Sequence, residues 1–218
     1  MPSAVIFDLD GTLVDTLDDL TVAVNQALDL AALPHRRRDE IRRFVGDGAR
    51  ELVKRAIGDA AVDEEPLLAA FHRHYAAHLL DRTAPFPGVL PLLAELARRG
   101  TAMAVLSNKP DEATRRIVAA LLPDVPFVAV QGERPDRPRK PDPATALELA
   151  ATLGRPAAAC LLVGDSTHDL ETAHRAGMGA VAVAWGFRER GELLAGHPLA
   201  LLERPDELLA LLDPSPAG

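Results

Sequence analysis

Residues 3–16, SAVIFDLDGTLVDT, decide the fold because they join a buried strand directly to an acidic loop. Ser3 to Leu9 is a short apolar run with two β-branched residues, a composition typical of a buried strand. Two aspartates and Gly11 follow, so the strand is predicted to end in a polar loop. Side chains alternate along an extended chain, and Asp8 and Asp10 are therefore expected to point to the same side.

A block of helical patterns follows this loop. From Thr16 apolar residues recur every three or four positions, which predicts an amphipathic helix. Three more helices are expected over 38–45, 49–57 and 64–80, with glycines between them where helices stop. At 81–88 the sequence DRTAPFPG is rich in proline and glycine, which marks a linker at the end of the block.

After the linker, helix and strand patterns alternate to the end of the chain. Helices are predicted over 89–99, 111–121 and 143–153, and each precedes a strand, at 102–106, 127–130 and 159–163. The stretches 160–163 and 180–184 are apolar on both faces, as in a parallel sheet covered by helices on both sides. The sequence therefore predicts an α/β fold. A doubly wound, Rossmann-like parallel-sheet core would comprise 1–15 and 82–218, with an all-helical cap inserted over 16–81.

Composition excludes several functional classes. The chain has 218 residues, and its 48% hydrophobic content is ample for a packed core and excludes disorder as the main state. The formal net charge of −8 has the wrong sign for a protein that mainly binds nucleic acid or anionic lipid, so neither partner is expected. No run approaches the ~20 apolar residues of a membrane span. The single cysteine, Cys160, predicts no intrachain disulfide, and no export signal is visible, so a cytoplasmic protein is expected.

Four polar stretches fall at the ends of the predicted strands, where open parallel sheets bind their ligands. They are FDLDGTLVDT at 7–16, VLSNKP at 105–110, PRKPDP at 138–143 and LLVGDSTHDL at 161–170. Carboxylates clustered in this way repel one another unless a cation lies between them, which predicts a bound metal. A donor set made only of oxygen atoms suits Mg²⁺ rather than zinc.

Residues in these stretches are suited to phosphoryl transfer. A carboxylate can attack phosphorus and form an aspartyl-phosphate, and Asp8 is the candidate nucleophile. Asp10, on the same side of the chain, is the candidate acid for the leaving oxygen and the base for water. Lys140 can balance the charge of the nucleophile and of a phosphate oxygen.

Two loops are expected to hold the phosphate group. Gly11 lacks a Cβ, which lets the backbone bend close to a phosphate, and Thr12 follows it. The Ser107 hydroxyl can donate to a phosphate oxygen. The amides of Asn108 and Lys109 are expected at the start of a helix, where N–H groups and the helix dipole favour anions.

The four stretches, in this order over the whole chain, resemble the motifs DxDGT, SNK, KP and GDSxxD of the haloacid dehalogenase superfamily. The inserted helices resemble the four-helix cap of the first type in that superfamily. This resemblance implies that Asp8 is the nucleophile, Asp10 the general acid and base, Ser107 a phosphate ligand and Lys140 the charge-balancing group.

The same resemblance implies a metal site and a substrate class. Mg²⁺ would be bound by Asp8, the Asp10 carbonyl and Asp165, with Asp169 in support. Within the superfamily the sequence is most similar to phosphoglycolate phosphatases, through VLSNKP, RKPDP, WGF at 185–187 and the cap stretch FVGDGARELVKRAIG at 44–58. A small phosphorylated metabolite such as 2-phosphoglycolate is therefore the implied substrate.

Several alternatives stay open at this point. Another sugar-phosphate phosphatase, a pyrophosphatase or a phosphomutase of the same superfamily would use the same motifs. A phospho-accepting signalling module uses a similar residue set, but a nucleophile on the first strand and a large inserted cap argue against it. A dehalogenase would have no use for the acid at Asp10 or for the metal cluster. The chain is expected to be a monomer or a homodimer.

Charged residues of the cap are harder to interpret. A substrate carboxylate would need an arginine fork, and Arg50 follows the glycine-rich loop at 46–48 that is expected to face the site. Arg50 is therefore a candidate substrate contact, the alternative being a surface salt bridge. His168 is interpreted as a surface residue beside the site. Asp18 and Asp19 are interpreted as surface acids that face the N-terminal end of the first cap helix.

Overall fold

The helices and strands alternate over most of the chain. The computed structural model describes residues 2–212; Met1 and 213–218, which belong to the predicted core, lie outside the described residues. In chain order the strands in this range are β1 (Ala4–Phe7), β2 (Val14–Asp15), β3 (Ala84–Pro85), β4 (Ala102–Pro110), β5 (Phe127–Glu133), β6 (Cys160–Gly164), β7 (Gly179–Val183) and β8 (Ala200–Leu202). The helices are α1 (Leu17–Asp29), α2 (Arg38–Phe44), α3 (Gly48–Ile57), α4 (Glu64–His78), α5 (Val89–Arg98), α6 (Asp111–Leu121), α7 (Ala144–Thr152), α8 (Thr167–Ala176), α9 (Arg190–Ala195) and α10 (Leu208–Leu212). None of the helices described is long and apolar enough to cross a membrane.

A parallel sheet forms the centre of the fold. Among the described residues it has six strands in the order β5-β4-β1-β6-β7-β8. All four residues of β1 are buried, because the strand lies between β4 and β6 and both faces are covered by apolar side chains. This confirms the predicted α/β fold with a doubly wound parallel sheet. The carboxyl ends of β1, β4 and β6 meet at one edge of the sheet, where the polar stretches of the sequence begin.

Strands β4 and β5 both extend further than predicted. β4 continues past Leu106 to Pro110 and, after an irregularity in register, pairs Pro110 with Glu133 of β5. Residues 107–109 are polar, so the apolar pattern predicts an end at Leu106, yet all three are buried. Their polar groups find hydrogen-bond partners inside the fold, which removes the usual cost of burying them.

The helices α1 to α4 lie between β2 and β3. These two short strands pair antiparallel, Val14 with Pro85 and Asp15 with Ala84, so the chain leaves the parallel sheet and returns to it at the same place. The helices bury their apolar faces against one another, and α1 packs against α4. The division into a core and a cap at residues 16 and 81 stays an interpretation that fits this connection.

Asp19 has a different role from the one expected. Its side chain is buried, and its carboxylate accepts hydrogen bonds from the backbone amides of Arg82 and Thr83 and from the Thr83 hydroxyl. It therefore ties the first turn of α1 to the returning linker rather than facing solvent. Asp18 is an exposed partner of Arg38, in line with a surface acid.

Candidate active site

A cavity of about 270 Å³ lies at the carboxyl ends of β1, β4 and β6, beneath the cap helices. Catalytic candidates from separate stretches of the sequence line its base, namely Asp8, Asp10, Ser107, Asn108, Lys109, Lys140 and Asp165. Apolar and aromatic residues of α3 and α4 also line it, among them Leu52, Phe71 and Tyr75. The cavity therefore combines polar side chains of the sheet edge with apolar side chains of the inserted helices.

Lys140 joins two of the carboxylates. Its ammonium donates to Asp8 Oδ1 at 2.7 Å, to Asp169 Oδ1 at 2.6 Å and to the Leu106 carbonyl at 3.0 Å. These three acceptors use all three N–H donors of the side chain, which is only 4% exposed. Burial by itself would lower the pKa of Lys140, but the two carboxylates outweigh burial and raise it, so the ammonium stays charged.

Three buried carboxylates form a cluster that fits a divalent cation. One oxygen each from Asp8, Asp165 and Asp169 lies within 4.8 Å of the others. With all three carboxylates ionised, the single ammonium of Lys140 would leave two negative charges, which a divalent cation would balance. The oxygen donor set is the kind that Mg²⁺ prefers.

The pKa values of this cluster reflect the crowded charge. Burial, together with the Asp169 and Asp165 charges, raises the pKa of Asp8 well above its usual value, and Lys140 only partly opposes this. Burial and the Asp169 charge raise the pKa of Asp165 to about 7, although the Phe187 amide opposes the shift. Both carboxylates therefore need additional positive charge to be ionised at neutral pH.

A close backbone approach holds Asp165 in place. The Phe187 amide donates to Asp165 Oδ2 at 2.6 Å, and Gly186 packs against the same side chain. Gly11 has a φ of +81°, and a Cβ at this position would overlap the Asp165 carboxylate. The missing Cβ of Gly11 thus makes room for Asp165.

Asp169 is oriented by the first turn of α8. Ser166 donates to Asp169 Oδ2 through its amide at 3.1 Å and its hydroxyl at 2.6 Å, and it caps the helix. The Asp169 side chain is fully buried. A Cβ at Gly164 would overlap it, so glycine is required for this approach. Asp169 therefore positions Lys140 with one oxygen while its other oxygen is held by the helix start.

Asp10 accepts three hydrogen bonds on its carboxylate. The Thr16 hydroxyl donates to Oδ1 at 2.6 Å, and the Lys109 ammonium lies 2.8 Å from Oδ1 and 3.1 Å from Oδ2. Lys109 comes from β4, and its ammonium also lies 4.7 Å from the ring centroid of Tyr75 on α4. Sequence reasoning assigned Lys109 only a backbone amide and missed this ion pair, because its partner is 99 positions away.

Asn108 positions the backbone of Lys140. Its side-chain oxygen accepts from the Lys140 amide at 2.9 Å, and its side-chain nitrogen donates to the Lys140 carbonyl at 3.0 Å and to the Gly46 carbonyl at 3.2 Å. The side chain thus links β4, the loop before α7 and the loop at 45–47 between α2 and α3, called the cap loop below. No local pattern in the sequence indicates this role.

Three of the expected phosphate contacts, at Gly11, Thr12 and Lys109, are engaged within the protein instead. The amides of Gly11 and Thr12 donate to the carbonyls of Val14 and Leu9 within their own turn, and the Thr12 side chain lines a separate small cavity beside Trp185. The Lys109 amide belongs to the extended β4, not to a helix start, and donates to Ser107 Oγ at 3.2 Å.

Arg50 does not line the cavity. It is half exposed and pairs with Glu64 and Glu65 at the start of α4, so the surface salt bridge replaces the expected substrate contact. His168 does line the cavity, and its Nε2 lies 3.1 Å from Asp47 Oδ1 in the cap loop. It therefore joins α8 to the cap and is not a simple surface residue.

Comparison with known proteins agrees with the motifs. The sequence model of the haloacid dehalogenase-like hydrolases matches residues 5–183. The chain belongs to this family. It is an enzyme, and its named relatives are phosphoric monoester hydrolases.

Similar proteins cover almost the whole chain. A phosphoglycolate phosphatase of Rhodospirillum rubrum is 41% identical over 199 residues, which cover 86% of this chain and 81% of the relative. A phosphoglycolate phosphatase of Mesorhizobium japonicum is 35% identical over 94% of this chain and 92% of its own. The crystal structure of a predicted phosphoglycolate phosphatase from Haemophilus somnus matches with a TM-score of 0.90 and 28% identity, over 97% of this chain and 98% of the other.

Proposed function

We propose that this member of the family is a Mg²⁺-dependent phosphatase that hydrolyses a small phosphomonoester, with 2-phosphoglycolate as the first substrate to test. The observation that carries this proposal is the position of Asp8. Its carboxylate lies at the end of the central strand, at the base of the cavity, in contact with Lys140 and clustered with Asp165 and Asp169. The names of the relatives at 41% and 35% identity support the same substrate.

The cation would be held by Asp8, Asp165 and Asp169, and the family resemblance adds the Asp10 carbonyl. When bound, Mg²⁺ supplies positive charge that neutralises the crowded carboxylates and the phosphate group. Ser107 and Asn108, which line the same cavity, are the residues proposed to contact the phosphate oxygens.

The residues support a reaction in two displacements. In the first, Asp8 attacks phosphorus, the bond from phosphorus to the leaving oxygen breaks, and Asp10 gives a proton to that oxygen. In the second, Asp10 takes a proton from water, which attacks the aspartyl-phosphate, breaks the bond to Asp8 and releases phosphate. Lys140 holds Asp8 in place and offsets charge during both displacements.

The cap is proposed to exclude water during the first displacement. α3 and α4 contribute apolar side chains to the cavity that Asp8 lines, which keeps the reacting atoms in a region of low dielectric constant. The cap must open afterwards for exchange of products and water.

Release of inorganic phosphate over a panel of esters tests the proposal. The panel contains 2-phosphoglycolate, sugar phosphates, pyrophosphate and p-nitrophenyl phosphate, each with and without Mg²⁺. We expect Mg²⁺-dependent release, fastest from 2-phosphoglycolate, and none from the Asp8→Asn variant. Release that is unaffected by Mg²⁺ or that survives in Asp8→Asn would contradict the mechanism, whereas a preference for pyrophosphate or a sugar phosphate would replace the substrate.

A further inference from the structure

The ion pair between Lys109 and Asp10 is not used by the two displacements described above. Lys109 is one of three lysines in the chain, and its side chain is only 4% exposed. Both Asp10 oxygens accept hydrogen bonds from this ammonium, and Thr16 adds another. Three of the roughly four lone-pair positions of this carboxylate are therefore occupied, so the ammonium competes for Asp10 with the proton that a leaving group has to receive.

A second polar group beside Lys109 lacks an acceptor for its proton. The Tyr75 side chain is 6% exposed; the Lys109 ammonium interacts with its hydroxyl oxygen, and no acceptor for the hydroxyl proton is found among residues 2–212. Burial raises the pKa of Tyr75 to about 12 against the opposing effect of the Lys109 ammonium, so the phenol keeps its proton and can donate it. Buried hydroxyl protons are rarely left without an acceptor, and this hydroxyl lines the cavity. The arrangement indicates a ligand with an acceptor at this point.

The other basic side chains that line the described cavity differ from Lys109 in that none of them contacts Asp10, and His168 pairs with Asp47 instead. Arg116 donates to the Ala76 carbonyl at 2.8 Å, and Arg188 donates to backbone carbonyls of the cap that include that of Arg42 at 3.1 Å. Partial burial and the charge of Arg50 lower the pKa of His72, which is therefore mostly neutral at pH 7. Lys140 is saturated by its three acceptors. Lys109 is thus a charged side chain whose partner, Asp10, is needed by the proposed reaction to protonate the leaving oxygen.

The geometry of the reaction places one end of the substrate at Lys109. The leaving oxygen has to come within hydrogen-bond distance of Asp10 to receive its proton. The Lys109 ammonium contacts the same two Asp10 oxygens, at 2.8 Å and 3.1 Å. A negatively charged group attached to the carbon next to the leaving oxygen is therefore within reach of that ammonium, which also lies 4.7 Å from the Tyr75 ring centroid.

We propose that Lys109, assisted by the Tyr75 hydroxyl, binds a carboxylate on the leaving group and so determines specificity for anionic phosphate esters. This inference rests on the proposed function and extends it to a substrate class. Binding of the carboxylate gives the ammonium a second anionic partner and loosens its hold on Asp10. Asp10 is then free to protonate the leaving oxygen, so a substrate without the carboxylate both binds less tightly and reacts more slowly.

Binding of two unreactive ligands tests the role of Lys109 without any turnover. 3-Phosphonopropionate has a carbon in place of the bridging oxygen of 2-phosphoglycolate, and its terminal amide is a neutral control of the same shape. Calorimetry with Mg²⁺ would compare wild-type protein, Asp10→Asn and the double variant Asp10→Asn/Lys109→Met. The double variant removes both partners of the buried pair, so it leaves no unpaired charge and is expected to fold.

We expect Asp10→Asn to bind the carboxylate ligand more tightly than the amide by on the order of 10-fold or more, since Lys109 loses its competing partner. The ratio of the two affinities, carboxylate over amide, should be smaller in the wild-type protein and near one in the double variant. Equal preferences in Asp10→Asn and in the double variant would overturn the role of Lys109.

Turnover separates this inference from the proposed function. The wild-type protein should hydrolyse 2-phosphoglycolate with a higher kcat than 2-phosphoglycolamide, because only the carboxylate draws Lys109 from Asp10. Equal kcat and KM for the two esters would overturn the specificity claim and leave the phosphatase intact. If no ester in the panel releases phosphate with Mg²⁺, the proposed function fails, and the assignment of a leaving-group site fails with it.

Discussion

At the scale of single residues, Lys140 is the side chain that connects the carboxylates of the site. Its ammonium is the counter-ion of both Asp8 and Asp169, and all of its donors are used inside the protein. Replacing it leaves two carboxylates without a positively charged neighbour and, in the proposed mechanism, removes charge compensation during the attack on phosphorus. Under that proposal the side chain serves the folded state and the reaction together.

Lys140→Ala is expected to lower kcat by on the order of 10²-fold or more, by analogy with the loss of an electrostatic stabiliser. Steady-state phosphate release with saturating Mg²⁺ measures this effect. Lys54→Ala is a matched control because Lys54 is exposed on α3, far along the chain from the motifs. A kcat for Lys140→Ala within a factor of three of the control would contradict the role assigned to this ammonium.

The loop after β1 depends on a glycine at its contact with a carboxylate. The loop after β1 brings Gly11 against Asp165 at a φ of +81°, where a side chain would overlap the carboxylate. Gly100, after α5, has a similar φ of +69°, but a Cβ added there would have no neighbouring atom within 4 Å. The two positions therefore separate backbone strain from the effect on the acidic cluster.

Gly100→Ala is expected to cost roughly 1–2 kcal/mol of unfolding free energy, the strain of a side chain in the left-handed region. Gly11→Ala is expected to cost more and to displace Asp165, which also removes the stabilisation by Mg²⁺. Urea unfolding with and without Mg²⁺ measures both effects. If the two variants lose equal stability and respond equally to Mg²⁺, the Gly11 contact has no part in the metal site.

Apolar patterns predicted the elements but not where polar residues extend them. The helix over 111–121 was predicted with its observed bounds, because its apolar period is regular and Pro110 precedes it. β4 was predicted to end at Leu106, because burial of Ser107, Asn108 and Lys109 depends on partners from distant stretches. A pattern of hydrophobicity carries no information about such partners.

The candidate site shows the same division between local and distant information. The residues that could be selected from the sequence follow the predicted strands, whose carboxyl ends meet at one edge of the sheet: Asp8, Asp10, Ser107, Lys140, Asp165 and Asp169. The Lys109–Asp10 pair and the Asn108 contacts to Lys140 could not, since they depend on side-chain packing across long sequence separations. The predicted substrate contact of Arg50 is wrong, because a position after a loop near the site does not determine the direction in which a helical side chain points.

For the whole molecule, the acidic cluster is expected to make stability depend on pH and, through the proposed cation, on Mg²⁺. Burial raises the pKa of Asp165 to about 7 from a usual value of 3.8, so the folded protein holds a proton there that the unfolded chain releases. Between about pH 4 and pH 7 the folded state binds more protons, and rising pH therefore lowers the stability of the metal-free protein. Above about pH 7 the folded protein has lost all of the stability that the proton on Asp165 provides.

The increase in Tm on adding Mg²⁺ is accordingly expected to be larger at pH 8 than at pH 5, because the cation competes with protons for the cluster. Thermal unfolding at both pH values, with and without Mg²⁺, tests this expectation. Asp165→Asn should raise the Tm of the metal-free protein at pH 8 and abolish the response to Mg²⁺. An increase in Tm that is the same at both pH values and persists in Asp165→Asn would contradict a cation at this cluster.

Covalent phosphorylation of Asp8 can be measured most directly in a variant that stops after the first displacement. Asp10→Asn should still be phosphorylated by p-nitrophenyl phosphate, whose leaving group needs little protonation, but should lack the base that activates water. Rapid quenching followed by mass spectrometry of peptides should find one phosphoryl group on the peptide that contains Asp8, and none in Asp8→Asn. A phosphoryl group on a different residue, or phosphate release with no phosphorylated protein at any time, would contradict the mechanism.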